Sequence, residues 1–268
     1  ISEEPVAAAS LAQVYKAELD DGRSVAVKVQ RPQILEQVSK DLYVLRRAAE
    51  VYQRLIDRFA PQQKTNYVDL LNEWAVGFYT ELDFRSEIDN LNSIRDVLVE
   101  GAHEDASTTV QGVYVPYALE DLCTARVAVT EWIEGVKLST CAPDEIKRLT
   151  PVAQEAFLVQ LLEAGIFHAD PHPGNLFRKD DGQLAILDFG LVARVRSEDQ
   201  DTMINAIVHL ANKDFPSLVD DFIDLEILPR DTSRGTVVPL MDKALSPYIA
   251  GGGAKKFEER VRASYGID

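Results

Sequence analysis

Two carboxylates and an amide fall close together late in the chain. Asp170 precedes Asn175 by five positions in His168-Ala169-Asp170-Pro171-His172-Pro173-Gly174-Asn175, and Asp188 follows in Leu187-Asp188-Phe189-Gly190. Lys179-Asp180-Asp181-Gly182, a turn signal, and an apolar strand from Gln183 to Leu187 separate the two stretches. Phosphoryl transfer needs such a set. One group orients the attacking hydroxyl or water and accepts its proton, and hard oxygen ligands hold the magnesium carried by nucleotide phosphates. In that chemistry Asp170 is the orienting base, and Asn175 and Asp188 are the metal ligands.

A lone cation completes the set. Ser24-Val25-Ala26-Val27-Lys28-Val29-Gln30 alternates as a strand, with Val25, Val27 and Val29 on one face and Lys28 in the centre of the other. It pairs as a hairpin with the strand after the small-residue stretch Pro5 to Tyr15, which contains Ala7-Ala8-Ala9-Ser10. That stretch can cover Lys28, where a kinase lysine reaches the α- and β-phosphates.

The elements that must position these groups are legible as patterns. Apolar residues from Ile34 to Phe59 recur at helical spacing, and a second run, about Val68 to Val99, carries Leu71, Ala75, Phe78, Leu82, Ile88, Leu91 and Leu98 along one side. Three glutamates on these runs could pair with Lys28: Glu50, Glu81 and Glu87. Glu87 is favoured, because Glu81-Leu82-Asp83-Phe84-Arg85-Ser86-Glu87 is the denser acidic cluster and calls for a basic or metallic partner. Strands are predicted over 112–116 and 126–130. The crossing from Thr130 to Gly135 stands where a kinase hinge would offer backbone groups, here those of Glu131 and Ile133, to an adenine edge, with Trp132 in the core. Thr150-Pro151 predicts a helix start and Gly165 its stop. Ser197-Glu198-Asp199-Gln200 predicts a capping box, with Ile204, Ile207, Val208 and Ala211 on the core side of the helix that follows. No Ala-Pro-Glu follows Gly190, which leaves no room for a peptide-docking activation segment. Residues 214–268 read as helical, broken at Pro229, Pro239 and Gly251-Gly252-Gly253.

Composition excludes several classes. The chain has 268 residues, 46% of them apolar, and 28 basic against 44 acidic residues give a net charge of −16. Such a surface repels phosphate backbones, so nucleic acid is not an expected partner. Cys123 and Cys141 form no CxxC pair, so neither a disulfide framework nor a zinc site is expected. No apolar run is long enough to span a membrane. His168 and His172 flank Asp170 without a third ligand in sequence, so they are not expected to bind a metal, and His103 and His209 are expected to be surface or core histidines. The start at Ile1 reads as an excised domain.

Taken in order, Ala7-Ala8-Ala9-Ser10, Val25-Ala26-Val27-Lys28, Glu81-x-Asp83-x-x-x-Glu87, His168-x-Asp170-Pro171-x-x-x-Asn175 and Asp188-Phe189-Gly190 resemble the UbiB/ADCK-type atypical kinase-like family. The resemblance implies an α+β, two-lobed protein-kinase-like fold. Residues 1–129 would form a small β-rich N-lobe with inserted helices, 130–135 the hinge, and 136–268 a mainly helical C-lobe. It further implies ATP or ADP with Mg2+ as cofactors, and an alanine-rich loop in place of a glycine-rich one. The implied role is in isoprenoid-quinone or prenyl-lipid metabolism, with pathway proteins at a membrane surface as partners. The catalytic-loop wording is similar to plant and cyanobacterial members, which favours a plastid. Two rivals stand beside it: a nucleotide-dependent scaffold without turnover, and a small-molecule phosphotransferase of the aminoglycoside/choline kinase kind.

Overall fold

In the computed structural model, which describes residues 1–60, 62–63, 65–100 and 110–249, the chain forms two compact units. One comprises residues 1–160 with 166–193, and the other residues 161–165 with 194–268. Gly251-Gly252-Gly253, His103 and the chain's last residues lie outside the described residues.

The first unit begins with β1 (Ala7–Ala8), β2 (Ala12–Glu18) and β3 (Ser24–Gln30), followed by helices α1 (Ile34–Phe59), α2 (Tyr67–Glu81) and α3 (Phe84–Arg95). Then come β4 (Val113–Tyr114), β5 (Val127–Glu131), β6 (Gly135–Lys137), α4 (Pro143–Leu158), β7 (Ile166–His168), β8 (Leu176–Lys179) and β9 (Leu184–Ile186). An antiparallel sheet has the order β1-β2-β3-β5, and a second sheet the order β4-β9-β8-β6. Leu19-Asp20-Asp21-Gly22 turns the hairpin, and Asp21 accepts the Arg23 backbone N–H at 3.0 Å. Register pairs Ala7 with Val14, Val14 with Lys28 and Lys28 with Ala128, so these four residues share one face of the sheet. The alanine-rich stretch is therefore part strand, with only Ala9 to Leu11 left to turn. Arg31 Nε donates to the Ala9 carbonyl at 3.0 Å. Gly135 is required where β6 meets β8, because a Cβ there would lie 2.3 Å from the Arg178 carbonyl oxygen.

The second helical run is two helices rather than one. Asp83 sits between them in an extended conformation and caps α3 by accepting the Arg85 N–H at 3.1 Å. Its side chain also pairs with Arg85, at 2.6 Å, which supplies the basic partner the acidic cluster called for. On α3, Phe84, Ile88, Leu91 and Ile94 are buried. Phe84 and Ile88 pack on Ala12 and Ala128 of the sheet. In α1 the apolar stripe is less buried than its period suggests. Ile34 is covered, whereas Leu45, Tyr52 and Phe59 are exposed. α4 begins at Pro143, with Asp144 and Glu145 in its first turn, and not at Thr150-Pro151. Pro151 lies inside the helix, and the Thr150 hydroxyl donates to the Ile146 carbonyl at 2.7 Å instead of capping.

The second unit holds α5 (Ser197–Asn212), α6 (Phe215–Asp224) and α7 (Arg234–Ile249). Gly165 is left-handed, with φ 65°, and its carbonyl accepts the Val195 N–H at 2.8 Å. Ser197 does not cap α5. The preceding Arg196 holds Asp199 at 2.8 Å, and Ser197 is already helical. The face of α5 that packs is also different from the expected one. Ala206 and Leu210 meet Phe215, Leu218 and Phe222, while Ile204, Ile207, Val208 and Ala211 are exposed. Pro239 does not break the chain but lies within α7. Among the described residues no helix is long and apolar enough to cross a membrane.

His209 of α5 contacts Asp221 of α6, Nδ1 to Oδ2, at 2.6 Å. The bond to Asp221, outweighing partial desolvation, raises the His209 pKa above 6.5. A raised histidine pKa means stability that is intact below pH 6.5 and lost as pH rises through the folded value. Melting temperature should therefore fall between about pH 6 and about pH 8 by more in the wild type than in His209→Gln. Parallel falls in both proteins would refute this.

Candidate functional site

The lysine at the centre of β3 sits between two carboxylates. Lys28 Nζ donates to Glu87 Oε1 at 2.7 Å and Oε2 at 2.9 Å, and to Asp188 Oδ1 at 3.3 Å. Of the three candidate glutamates it is Glu87, in the first turn of α3, that the lysine meets. Glu50 pairs instead with Arg47 at 3.0 Å on its own helix. Glu81 makes no bond to the lysine, but it feels the same field. Burial, then the Asp188 charge, raise its pKa, and Lys28 lowers it.

Electrostatics within the cluster follow from burial. Desolvation disfavours the Lys28 ammonium, yet the charges of Glu87 and Asp188 outweigh it and raise its pKa above 10.5. Desolvation raises the Glu87 pKa above 4.5, and the Lys28 charge opposes that shift. The pair is an ion pair held against a desolvation cost, with Asp188, the more exposed carboxylate, on its open side.

The catalytic hairpin is tied together by one imidazole. His168, only 2% exposed, accepts the Asp170 backbone N–H on Nδ1 at 3.1 Å. Its Nε2 therefore carries the proton and donates to the Asp188 carbonyl at 2.6 Å. The buried Gln160 fixes the strand behind it, accepting the His168 N–H at 2.9 Å. Asn175 Nδ2 reaches the Asp170 carbonyl at 3.4 Å, and the Leu187 N–H donates to the Asn175 carbonyl at 2.8 Å. Backbone pairing thus brings Asp170, Asn175 and Asp188 to one end of the β8–β9 hairpin.

Asp188 has φ 65°, a left-handed conformation costing a non-glycine residue about 1–2 kcal/mol. Such strain persists only where surroundings impose it. Its Oδ1 accepts the Gly190 N–H at 3.2 Å. Phe189 is buried edge-on to His168, with ring centroids 5.5 Å apart.

Of the remaining predicted residues, Ala7, Ala8, Ala9 and Ser10 are exposed at the free edge of the sheet that bears Lys28. Glu131 ends β5. Its N–H donates to the Tyr117 carbonyl at 3.0 Å, and the Trp132 N–H to Ser24 at 3.2 Å. By antiparallel alternation the Glu131 carbonyl then faces away from β3, on the side of Tyr117 and at the opposite edge of the sheet from Ala7 and Ala8. Ile133 and Trp132 are half-buried, and Lys16 lies 4.8 Å over the Trp132 ring. Tyr114 was not singled out from sequence, yet its hydroxyl donates to Glu131 at 2.7 Å and its pKa is pushed up to about 12, chiefly by burial.

The donors at the hairpin end fit magnesium. They are a carboxylate and an amide oxygen, hard ligands of the kind Mg2+ takes one or two at a time, with phosphates and water completing its shell. Among the described residues no three His, Cys, Asp or Glu side chains converge as a metal cage.

Comparisons with known proteins bear on this arrangement. The family profile described as the ABC1 atypical kinase-like domain matches residues 1–221. An uncharacterised protein of Synechocystis is 35% identical over 98% of this chain and 38% of its own length. The Arabidopsis thaliana protein ACTIVITY OF BC1 COMPLEX KINASE 1, chloroplastic, is 36% identical over 97% of this chain and 37% of its own. The chain thus spans little more than a third of these relatives. Rv3197 of Mycobacterium tuberculosis, solved as a complex with erythromycin, superposes with a TM-score of 0.69 at 27% identity, over 93% of this chain and 60% of that one. The fold is α+β and kinase-like. Since the profile runs unbroken from the alanine-rich edge strand past the strained Asp188, the chain belongs to the ABC1 atypical kinase-like family.

Proposed function

We propose that this domain binds an adenine nucleotide with magnesium and transfers or hydrolyses its terminal phosphoryl group, as an atypical kinase or ATPase. The observation that carries the reading is Lys28 held by Glu87 at 2.7 Å while facing Asp188 at 3.3 Å. A cation placed in this way can exchange its contact with Asp188 for the α- and β-phosphates without losing Glu87. Asn175 and Asp188 would hold magnesium, which when bound neutralises charge on the phosphate oxygens. Asp170 is exposed, so its carboxylate is open to an attacking hydroxyl or water. Ala7, Ala8, Ala9 and Ser10 would lie over the phosphates. The backbone of Glu131 and Ile133 would take the adenine edge, in a hinge of residues 130–135 between an N-lobe of 1–129 and a C-lobe of 136–268.

The resemblance of its motifs to the UbiB/ADCK-type family implies a role in isoprenoid-quinone or prenyl-lipid metabolism, with pathway proteins at a membrane surface, and the chloroplastic plant relatives support a plastid as the location. The acceptor of the phosphoryl group is then a lipid precursor, a pathway protein or water.

Asp170→Asn tests the chemistry apart from binding. It should cut magnesium-dependent ATP turnover by about 10²–10⁴-fold while the thermal shift caused by ATP persists. Turnover unchanged in this variant would remove Asp170 from the mechanism. A wild type that shifts with ATP but never hydrolyses it would favour the scaffold.

The alanine-rich edge gives a further expectation. Alanine Cβ atoms bar backbone conformations that glycine allows, so amides there approach phosphate less freely. Ala8→Gly and Ala9→Gly should each change ATP or ADP affinity by about three- to tenfold in a calorimetric titration. Unchanged affinities in both would defeat the argument.

A further inference from the structure

The carbonyl of Phe189 accepts a hydrogen bond from Asn90 Nδ2 at 3.1 Å. Asn90 stands on α3 three positions after Glu87, so the two side chains leave the helix one turn apart on the same side. One holds Lys28, and the other holds the backbone immediately after Asp188. The left-handed Asp188 is thereby fixed from two directions. His168, on β7, holds its own carbonyl, and Asn90 holds the next one. Burial of the Phe189 ring anchors the side chain but leaves the peptide after it free to turn about its own axis.

We propose that Asn90 is a positioning residue: it latches the Phe189–Gly190 peptide to the helix that carries Glu87, so that the setting of the Asp188 carboxylate depends on where that helix sits. With the latch closed, the Lys28–Glu87 pair and the left-handed Asp188 form together. With it open, the peptide turns, the Gly190 N–H leaves Asp188 Oδ1, and Asp188 relaxes toward negative φ and away from Lys28. Nothing in the sequence marks Asn90, because its acceptor is a backbone carbonyl and lies 99 positions away.

The proposal rests on the phosphotransferase reading only for its effect on the metal. The latch itself is measured without nucleotide. Hydrogen exchange of the free 268-residue chain is compared for the wild type, Asn90→Leu, which keeps the bulk and loses the donor, and Asn90→Gln, which keeps an amide. In Asn90→Leu the Gly190 amide should exchange about tenfold faster, with α3 amides and melting temperature unchanged. ATP affinity in EDTA should hold or rise by up to about fivefold as Lys28 is freed, while the gain in affinity from added magnesium falls by about fivefold or more. Asn90→Gln should recover part of both effects. Unchanged exchange at Gly190, acceleration throughout α3, or an equal loss of affinity with and without magnesium would each overturn the latch. If the wild type binds no ATP in either condition, the phosphotransferase reading fails, and the exchange comparison still decides the latch.

Discussion

Asp188→Asn should abolish magnesium-dependent ATP turnover, by at least about 10²-fold, while leaving metal-free ATP binding equal or stronger. The first half follows from removing a full negative charge from the site where hard oxygen donors gather. The second half follows from the surroundings. Glu87 and Asp188 both bond a single ammonium whose field Glu81 also feels, and in the free protein Asp188 already occupies Lys28 at 3.3 Å. Neutralising one carboxylate frees the lysine and lowers repulsion toward phosphate. At an effective dielectric near the surface, that is worth about 1 kcal/mol, or a few-fold in affinity. Calorimetric titration with and without EDTA, beside a phosphate-release assay, reads both halves. Turnover that survives the substitution would falsify the metal role of Asp188. Metal-free affinity lowered tenfold would show that Asp188 serves the fold of the site rather than its charge.

Lys28→Met should be the most destabilising single change at the site, by about 3–5 kcal/mol near neutral pH, because it strands a buried carboxylate. Glu87 has only 13% of its side chain exposed, and burial already raises its pKa above 4.5 with the lysine present. Without the lysine that shift grows. A carboxyl group whose folded pKa exceeds its unfolded value binds its proton more tightly when folded, so the variant gains stability as pH falls. The deficit relative to wild type should therefore shrink between about pH 7.5 and about pH 5, measured by urea unfolding. The double variant Lys28→Met, Glu87→Leu should recover most of the loss at neutral pH, since an apolar pair in place of a buried ion pair is often neutral or better. A deficit independent of pH, or a double variant no better than the single, would show that packing of the lysine stem is what the fold uses.

Much of the candidate site could be read in one dimension, because the catalytic hairpin is local. Asn175 and Asp188 flank one short hairpin, so its register brings them together, and Asp170 lies only five positions before Asn175. Lys28 was legible for a related reason: period-two alternation fixes which face of a strand a residue takes. Glu87 was reachable only as a preference among three glutamates. Its partner lies 59 positions earlier, and the helix that aims it exists because Asp83 stops one helix and caps the next.

Helical periodicity told a different story. It correctly marked α1 and α5 as helices but did not say which stripe would be covered. Ile204, Ile207, Val208 and Ala211 have ideal spacing and face outward, while Ala206 and Leu210 meet α6. Pro151 reads as a helix start and is mid-helix, since Pro143, eight residues earlier in α4's first turn, had already started it.

The amino-acid sequence alone determined the chemistry on offer, namely which carboxylates, amide and ammonium exist and which of them share a strand or turn, because hydrogen-bond register and side-chain alternation are short-range. Tertiary packing decided which glutamate the lysine meets, which helix stripe is buried, and that one asparagine holds a backbone carbonyl far along the chain. Those choices depend on long-range desolvation and on backbone acceptors, which every residue carries and no residue type announces.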